Sequence, residues 1–384
     1  MANITTYSGG ILRLDLMPIL EAMQAEKPTF ISAINFGSGK VATSTKHSWH
    51  TLTLTGTKTT LDGAVTATDT FIDVVDGSIF SDYDTIMIKD LTPEVFTITV
   101  STNRLTLFNP DNTADTAAYD HDTAGEVVLV ASPRLEASDN VGETADYATL
   151  LNNYTQIFRR GLKVSGTEQV INLQETDMAT IEYFTMQKMQ QIYRDLNNTA
   201  LFGRPYLGTD AISRKMGGLH WWLTDTSSGD PINKNFAGGD LTLTAINDLT
   251  ARMVDVGGNA DLIVCGVPTA RKITALANAL GSTLVVTSRV DDIVGNTIQA
   301  IQGDFLGSGL RKILVDPNIP DGSLFMVNQA DLKMVPLNNR TLGMEEKASV
   351  GDYQNFQILG EYTLEIQHVY NNHAYLFNFL TAGV

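Results

Sequence analysis

The period of the apolar positions changes several times along the chain, and each change predicts a different element. Leu14, Met17, Leu20 and Met23 recur at spacings of three, with Pro18 early and Pro28 beyond the end, which predicts one or two helical turns. From Pro28 to Ser48 the residues are small and polar, among them Gly37, Ser38, Gly39 and Ser44, with too few apolar side chains for a core. That stretch is expected to be an arm lying on something else. Across 51–134 the period becomes two, in Phe71–Val75, Thr85–Lys89, Val95–Val100, Arg104–Phe108 and Glu126–Ala131. Five or six short strands are expected. The turns Asp62-Gly63, Asp76-Gly77 and Asn109-Pro110-Asp111 give them the spacing of a small sandwich or barrel that forms a discrete module.

A helical period follows. Met178, Ile181, Phe184, Met189, Ile192, Leu196 and Ala200 recur mostly at three or four, Thr176 or Asp177 can cap the start, and Gly203-Arg204-Pro205 ends it. At 1.5 Å per residue this helix would be roughly 40 Å long. From Leu241 helix and strand alternate. Ile246, Leu249 and Met253 give one apolar face that stops at Gly257-Gly258, Asp261–Cys265 is a buried strand, and Pro268 opens a helix ending at Gly281. Strands are expected at Thr283–Thr287, Thr297–Ile301, Ile313–Asp316, Ser323–Val327 and Leu332–Val335. Ile358–His368, a turn at Asn371-Asn372 and Ala374–Leu380 suggest a long hairpin.

Composition adds an electrostatic constraint. The 384 residues carry 26 Lys and Arg against 43 Asp and Glu, a net charge of −17, and 43% are hydrophobic, enough to fill two or three cores. Residues 51–134 hold four basic and thirteen acidic side chains, more than half of the net charge. Such a surface is expected to face solvent, and a pI near 4.6 argues against tight binding to a nucleic-acid backbone. Charged residues are only 18% of the chain against about 25% in ordinary domains, so many surface positions are polar-neutral or covered by partners. One cysteine, Cys265, excludes an internal disulfide, and assembly in a reducing compartment fits. There is no apolar run of membrane-spanning length and no signal-peptide pattern in Met1–Thr6, so neither insertion nor export is expected.

Few residue patterns carry chemistry. His47, His50, His121, His220, His368 and His373 include no HExxH pair, and His47 and His50 would point to opposite faces of a strand, so no metal site is assigned. The acidic stretch from Asp111 to Glu126, with Asp115, Asp120 and Asp122, lacks the order of a calcium-binding loop and is read as a solvated loop. Cys265 in Leu262–Gly266 is read as a buried structural thiol. Gly307-Ser308-Gly309 is not a phosphate loop, no GxSxG elbow is present, and no catalytic residue or cofactor is assigned. His220-Trp221-Trp222 is the densest aromatic spot and is read as core or subunit contact, ahead of a stacking platform. Arg159, Arg160 and Lys163 form a local basic cluster, either a solvated strand face or a patch for a neighbour's acidic surface.

With Asn153–Thr167 leading into the long helix, then Arg214-Lys215-Met216-Gly217-Gly218-Leu219 and Gly360-Glu361-Tyr362-Thr363-Leu364-Glu365, the sequence resembles the major capsid proteins of tailed bacteriophages. The resemblance implies the α+β Johnson (Hong Kong 97-like) fold and covers most of the chain. Residues 1–48 would be the N-terminal arm and 49–165 the E-loop, with strands Lys46–Leu54 and Gly142–Ser165 and the β module of 51–134 inserted between them. Residues 166–240 would be the P-domain with a spine helix over Asp177–Phe202. Residues 241–335 would be the A-domain, and 336–384 a return to the P-domain with the closing hairpin. The subunit-interface candidates are Trp49, Arg159, Arg160, Lys163, Glu182, Arg194, Trp221 and Trp222.

The function implied is self-assembly of pentamers and hexamers into an icosahedral head around double-stranded DNA, without base-specific contacts, enzyme activity or membrane. Scaffolding, portal and decoration proteins would be partners; with no removable scaffolding region seen, either a separate protein supplies the scaffolding or the contacts between neighbours suffice. The resemblance also implies assembly in the host bacterial cytoplasm into a virion capsid, and a shell that expands on packaging. An encapsulin-type compartment, a β-rich tail or adhesion protein, and an unrecognised enzyme stay open as rivals.

Overall fold

The computed structural model describes residues 29–36, 40–51, 58–111, 113–123, 125–133, 149–167, 180–226, 231–279, 285–287, 298–302, 310–348 and 351–381. The helix expected around Leu14–Met23 and the cap at Thr176 or Asp177 lie outside these residues. The chain divides into two compact units, one of residues 1–51 with 150–384 and one of residues 52–149.

The first unit opens with α1 (Thr29–Ala33), β1 (Asn35–Phe36) and β2 (Lys46–Thr51). Phe30 and Ile31 of α1, with Ile34 beside it, are buried against Ile192 and Leu196 of the unit's own core. The arm expected to lie elsewhere is therefore anchored on its own subunit from residue 29 onward. Three large apolar side chains within five residues are enough to dock a single helical turn.

In the second unit, β3 (Lys58–Thr60), β4 (Phe71–Asp73), β5 (Thr85–Lys89), β6 (Glu94–Ser101), β7 (Arg104–Phe108) and β8 (Glu126–Ala131) form one antiparallel sheet, in the order β3-β8-β5-β6-β7-β4. The chain leaving β3 meets the chain leaving β4. Leu61 bridges Val74, the Asp62 N–H donates to Asp73 O at 2.8 Å, and the Val75 N–H donates to Thr60 O at 3.0 Å. These contacts close the sheet into a barrel, which leaves no long edge for stray strand pairing. Alternation along the strands sends Ile72, Ile86, Ile88, Phe96, Ile98, Leu105, Leu107 and Val127 inward as its core. Gly77 is obligatory in the Asp76-Gly77 turn, since a Cβ there would lie 2.0 Å from Thr102 O.

The chain returns to the first unit through β9 (Thr149–Tyr154), which pairs with β2, then β10 (Gln156–Ser165) and the long helix α2 (Thr180–Phe202). There follow α3 (Leu219–Thr224), β11 (Ile232–Asn235), α4 (Leu243–Asp255), β12 (Leu262–Cys265), α5 (Val267–Ala279), β13 (Val285–Thr287), β14 (Ile298–Gln302), β15 (Leu310–Val315) and β16 (Ser323–Val327). The last strands are β17 (Leu332–Pro336), β18 (Gly343–Lys347), β19 (Tyr353–Ile366) and β20 (Ala374–Phe377). One sheet runs β1-β17-β19-β10, with β18 also paired to β19. The other runs β11-β20-β16-β12-β15-β14-β13. Thr242 caps α4 by accepting the Ala245 N–H at 3.2 Å, and α4 lays Ile246, Leu249 and Met253 on Ile263, Leu324 and Met326 of the second sheet. Gly257, at φ +76°, turns the chain out of α4.

Two expectations are corrected here. Ile358–His368 and Ala374–Leu380 do not form a hairpin: β19 pairs with β10, β17 and β18, while β20 inserts between β11 and β16 of the other sheet. The connection bends at His368, with φ +49°, and carries the chain from one sheet to the other. β17, expected within the 241–335 domain, likewise pairs with β19. Both strands are apolar enough to be buried in either sheet, so local sequence does not choose between them.

Candidate functional site

Strand β10 lies at the edge of its sheet and shows two different faces. Phe158, Leu162 and Val164 are buried toward α2, where Leu162 and Val164 pack with Phe356 against Ile181 and Phe184. Arg160 shares that face, and its guanidinium pairs with Asp195 of α2. The opposite face presents Ile157, Arg159, Lys163 and Ser165, all exposed, with the Lys163 ammonium 5.1 Å from the Tyr353 ring. Period two thus splits the basic cluster: Arg160 braces the long helix, and Arg159 and Lys163 face away from it.

On β19 the same face carries Glu361, Thr363 and Glu365, all buried. Glu361 Oε1 accepts from Thr155 Oγ1 at 2.6 Å and from Arg214 at 2.7 Å, and Oε2 meets Arg340 Nε at 3.1 Å. Glu365 Oε1 accepts from Lys40 Nζ at 2.6 Å and from Gln367 at 2.8 Å, and Oε2 lies 2.8 Å from His47 Nε2. Burial alone would raise the Glu365 carboxyl, but the hydrogen bonds from His47 and Lys40 outweigh it and bring the pKa down to about 2. The segment 40–51 is thereby held across the sheet, helped by the Ala42 N–H donating to Pro336 O at 2.8 Å. Replacing Glu361 by Ala would strand two arginines. We expect a loss of about 2–3 kcal/mol in urea unfolding, with Arg340→Ala costing under about 1 kcal/mol because that arginine is half in solvent.

Three of the interface candidates come together inside the subunit. Trp49, 5% exposed, donates from Nε1 to Ile366 O at 2.9 Å, and its ring lies 5.6 Å from that of Trp222, which is 4% exposed and meets Trp221 edge-on at 4.8 Å. Trp49 and Trp222 thus belong to the core of the chain itself. An indole so fully covered by its own chain has no surface left for a neighbour, while Trp221 is only partly buried. Arg194 is half-buried on α2, and Glu182 lies on α2 with its side chain outside the described set. Glu361 and Glu365 were not among the candidates. The available signal was carboxylates at alternate positions of a strand beside apolar ones, which puts both on one face.

The acids of 111–126 bind loop segments of the barrel: Asp111 accepts from Thr113 and Asp115 from the Thr116 N–H within their own loop, and Asp120 accepts from the Ala67 N–H of the β3–β4 connection. Cys265 is buried and its thiol is pushed up to about 12 by desolvation, which keeps it protonated. A groove of about 400 Å³ between β10 and α2 is lined by Ile157, Arg159, Arg160, Asp195, Asn198 and Thr199, whose charged groups include a mutually neutralised pair. These arrangements bind segments of chain to one another, and what they leave outside is a large, chemically mixed surface.

Comparison with known proteins gives this surface its context. No curated protein matches the sequence. Among solved structures, one from Mycobacterium phage Adephagia has 11% identity and a TM-score of 0.47, over 98% of this chain and 98% of that one. The cyanophage A-1(L) capsid asymmetric unit has 10% identity and a TM-score of 0.47, over 65% and 85%. The holo-SrpI encapsulin complex from Synechococcus elongatus PCC 7942 has 9% identity and a TM-score of 0.45, over 62% and 78%. The profile of the SU10 major capsid protein covers residues 2–379. The chain therefore belongs to the SU10 major capsid protein family, as a phage head-shell protein.

Proposed function

We propose that identical copies of this chain associate into pentamers and hexamers that close into an icosahedral head around double-stranded DNA. Assembly takes place in the host bacterial cytoplasm, with scaffolding and portal proteins as helpers and without catalysis by the shell. Residues 46–54 and 142–165 act as the E-loop, α2 as the spine of the P-domain, and the sheet from β11 to β13 with α4 and α5 as the A-domain. The observation that carries this reading is the separation of charge: residues 52–149 hold 17 of the 43 acids, while Arg159 and Lys163 stand exposed on β10. Opposite signs on different segments of one chain favour head-to-tail contacts between copies, and such contacts close into rings. Many weak contacts per subunit then make a stable shell. A net charge of −17 keeps the lining from gripping DNA, which the shell needs only to enclose.

The test is electron microscopy with light scattering on the protein expressed alone and with its gene neighbours. Closed shells or capsomer rings support the reading, and a monomer under both conditions overturns it. The contents of particles from infected cells decide between a DNA-filled head and a cargo compartment. In the same assay the double variant Arg159→Glu with Lys163→Glu is expected to form few or no shells, although its subunits unfold at the wild-type urea midpoint. Wild-type shell yield from the double variant would remove these two residues from the interface.

A further inference from the structure

The barrel of residues 58–133 carries thirteen acidic side chains and three basic ones, yet a large part of its outer wall bears no charge. Cross-strand registers arrange the outward residues in rows. Phe71, Thr106 and Thr99 form one row across β4, β7 and β6. Phe108, Thr97 and Thr85 form the next, across β7, β6 and β5, and Val95, Met87 and Val128 the third, across β6, β5 and β8. Val95 is 55% exposed, Val130 on β8 54% and Phe71 39%. The borders are charged but internally neutralised: Arg104, whose guanidinium also lies 4.0 Å over the Phe71 ring, binds Asp73 at 2.8 Å on one side, and on the other Lys58, which ends the third row opposite Val128, and Lys89 both bind Glu126, at 3.0 and 2.9 Å. With every described lysine and arginine of the barrel paired, its excess negative charge lies in the loops, at Asp62, Asp69, Asp82, Asp111 and Asp120 among others.

We propose that this apolar and hydroxyl-bearing wall of β4 to β8 is a docking face for a second kind of protein, one with an apolar centre ringed by lysine and arginine. A solvated β-barrel face ordinarily alternates charges across its strands, whereas here thirteen acids are kept off three consecutive rows. Depletion of charge with retained Val, Met, Phe and Thr is the composition of an interface centre. The acidic loops choose the partner. A second barrel would bring the same excess of acid face to face and is disfavoured by repulsion, while a basic rim is attracted and steered. The inference rests on the shell reading, whose failure shows separately as absence of particles in the microscope.

The test uses Val95→Cys and, independently, Val130→Cys in the full chain, labelled with a maleimide; Cys265 is buried and stays unlabelled. Shells assembled from the chain alone are compared with complete particles from infected cells. Labelling of shells made from the chain alone, its loss in complete particles and its return after a wash in about 1 M salt is the expected result. Protection already present in shells of the chain alone would make the occupant a second copy and overturn the proposal. Equal labelling in both would leave the face unoccupied, and protection that survives the salt wash would contradict the basic rim. Each of these outcomes also overturns it.

Discussion

Replacing Trp222 by alanine lowers the stability of the dissociated subunit by about 3–5 kcal/mol in urea unfolding followed by circular dichroism. Trp222 lies on α3 within the main core, edge-on to Trp221 and 5.6 Å from Trp49, and its removal leaves a hole lined by residues from several elements. Those elements cannot all collapse inward. β2 is tied down by the Trp49 hydrogen bond to Ile366 O, and α3 is held by the bond that the Asn233 side chain donates to Leu223 O. Trp221→Ala, at a half-buried position, should cost less than half as much. The measurement separates two roles for the same residue. An indole that met a neighbouring subunit would leave the isolated chain unchanged and reduce only shell yield, so a cost below about 1 kcal/mol would return Trp222 to the interface.

Acid should weaken the first unit in two stages. His373 is fully buried, its Nδ1 accepting the Asn328 N–H at 3.4 Å and its Nε2 donating to Gln367 O at 3.0 Å, the roles of a neutral ring. Burial pushes its pKa down to about 4 against the pull of Asp331, so the unfolded chain binds a proton the folded one refuses. The stability this represents is complete above about 6.5 and is lost as pH falls toward 4, up to about 3 kcal/mol. Glu365 acts below that range. Its carboxyl, held at about 2, contributes fully above about 4.5 and loses its share, of similar size, as pH falls from there. Urea midpoints of dissociated subunits measured from pH 7 to pH 3 should therefore fall throughout. His373→Gln should flatten the upper part of the curve and Glu365→Gln the lower. A decline unchanged in both variants would assign it to other groups.

Much of the secondary structure could be read from the chain because its signals are local. The strand pattern of Thr85–Lys89, Arg104–Phe108 and Glu126–Ala131 is a period of two among turn residues, and the observed strands have those bounds. The helix expected over Asp177–Phe202 is described from Thr180 to Phe202 and ends at Gly203-Arg204-Pro205 as expected, and the residue at 203 must be glycine because a Cβ there would lie 2.5 Å from Met216 O. Of the candidate site, the basic stretch and the aromatic run His220-Trp221-Trp222 were visible as clusters. The division of the basic stretch into Arg160 on one face and Arg159 and Lys163 on the other follows from strand geometry, but which face meets α2 does not.

The sequence by itself determined the element types and the acidic β module, because periodicity, turn chemistry and charge are properties of neighbouring residues, while the class of protein entered through the resemblance of Asn153–Thr167, Arg214–Leu219 and Gly360–Glu365 to a known family. Tertiary structure alone decided the rest. β19 and β20 went to different sheets because two apolar strands can satisfy their backbone bonds with any edge that topology brings near. Glu361 and Glu365 became buried carboxylates because Arg214, Arg340, Lys40 and His47, up to 325 positions away in sequence, converge on them. The barrel closed because the chain leaving β3 happens to run beside the chain leaving β4. Each is a contact between distant segments, and a local pattern holds no record of which distant segment will arrive.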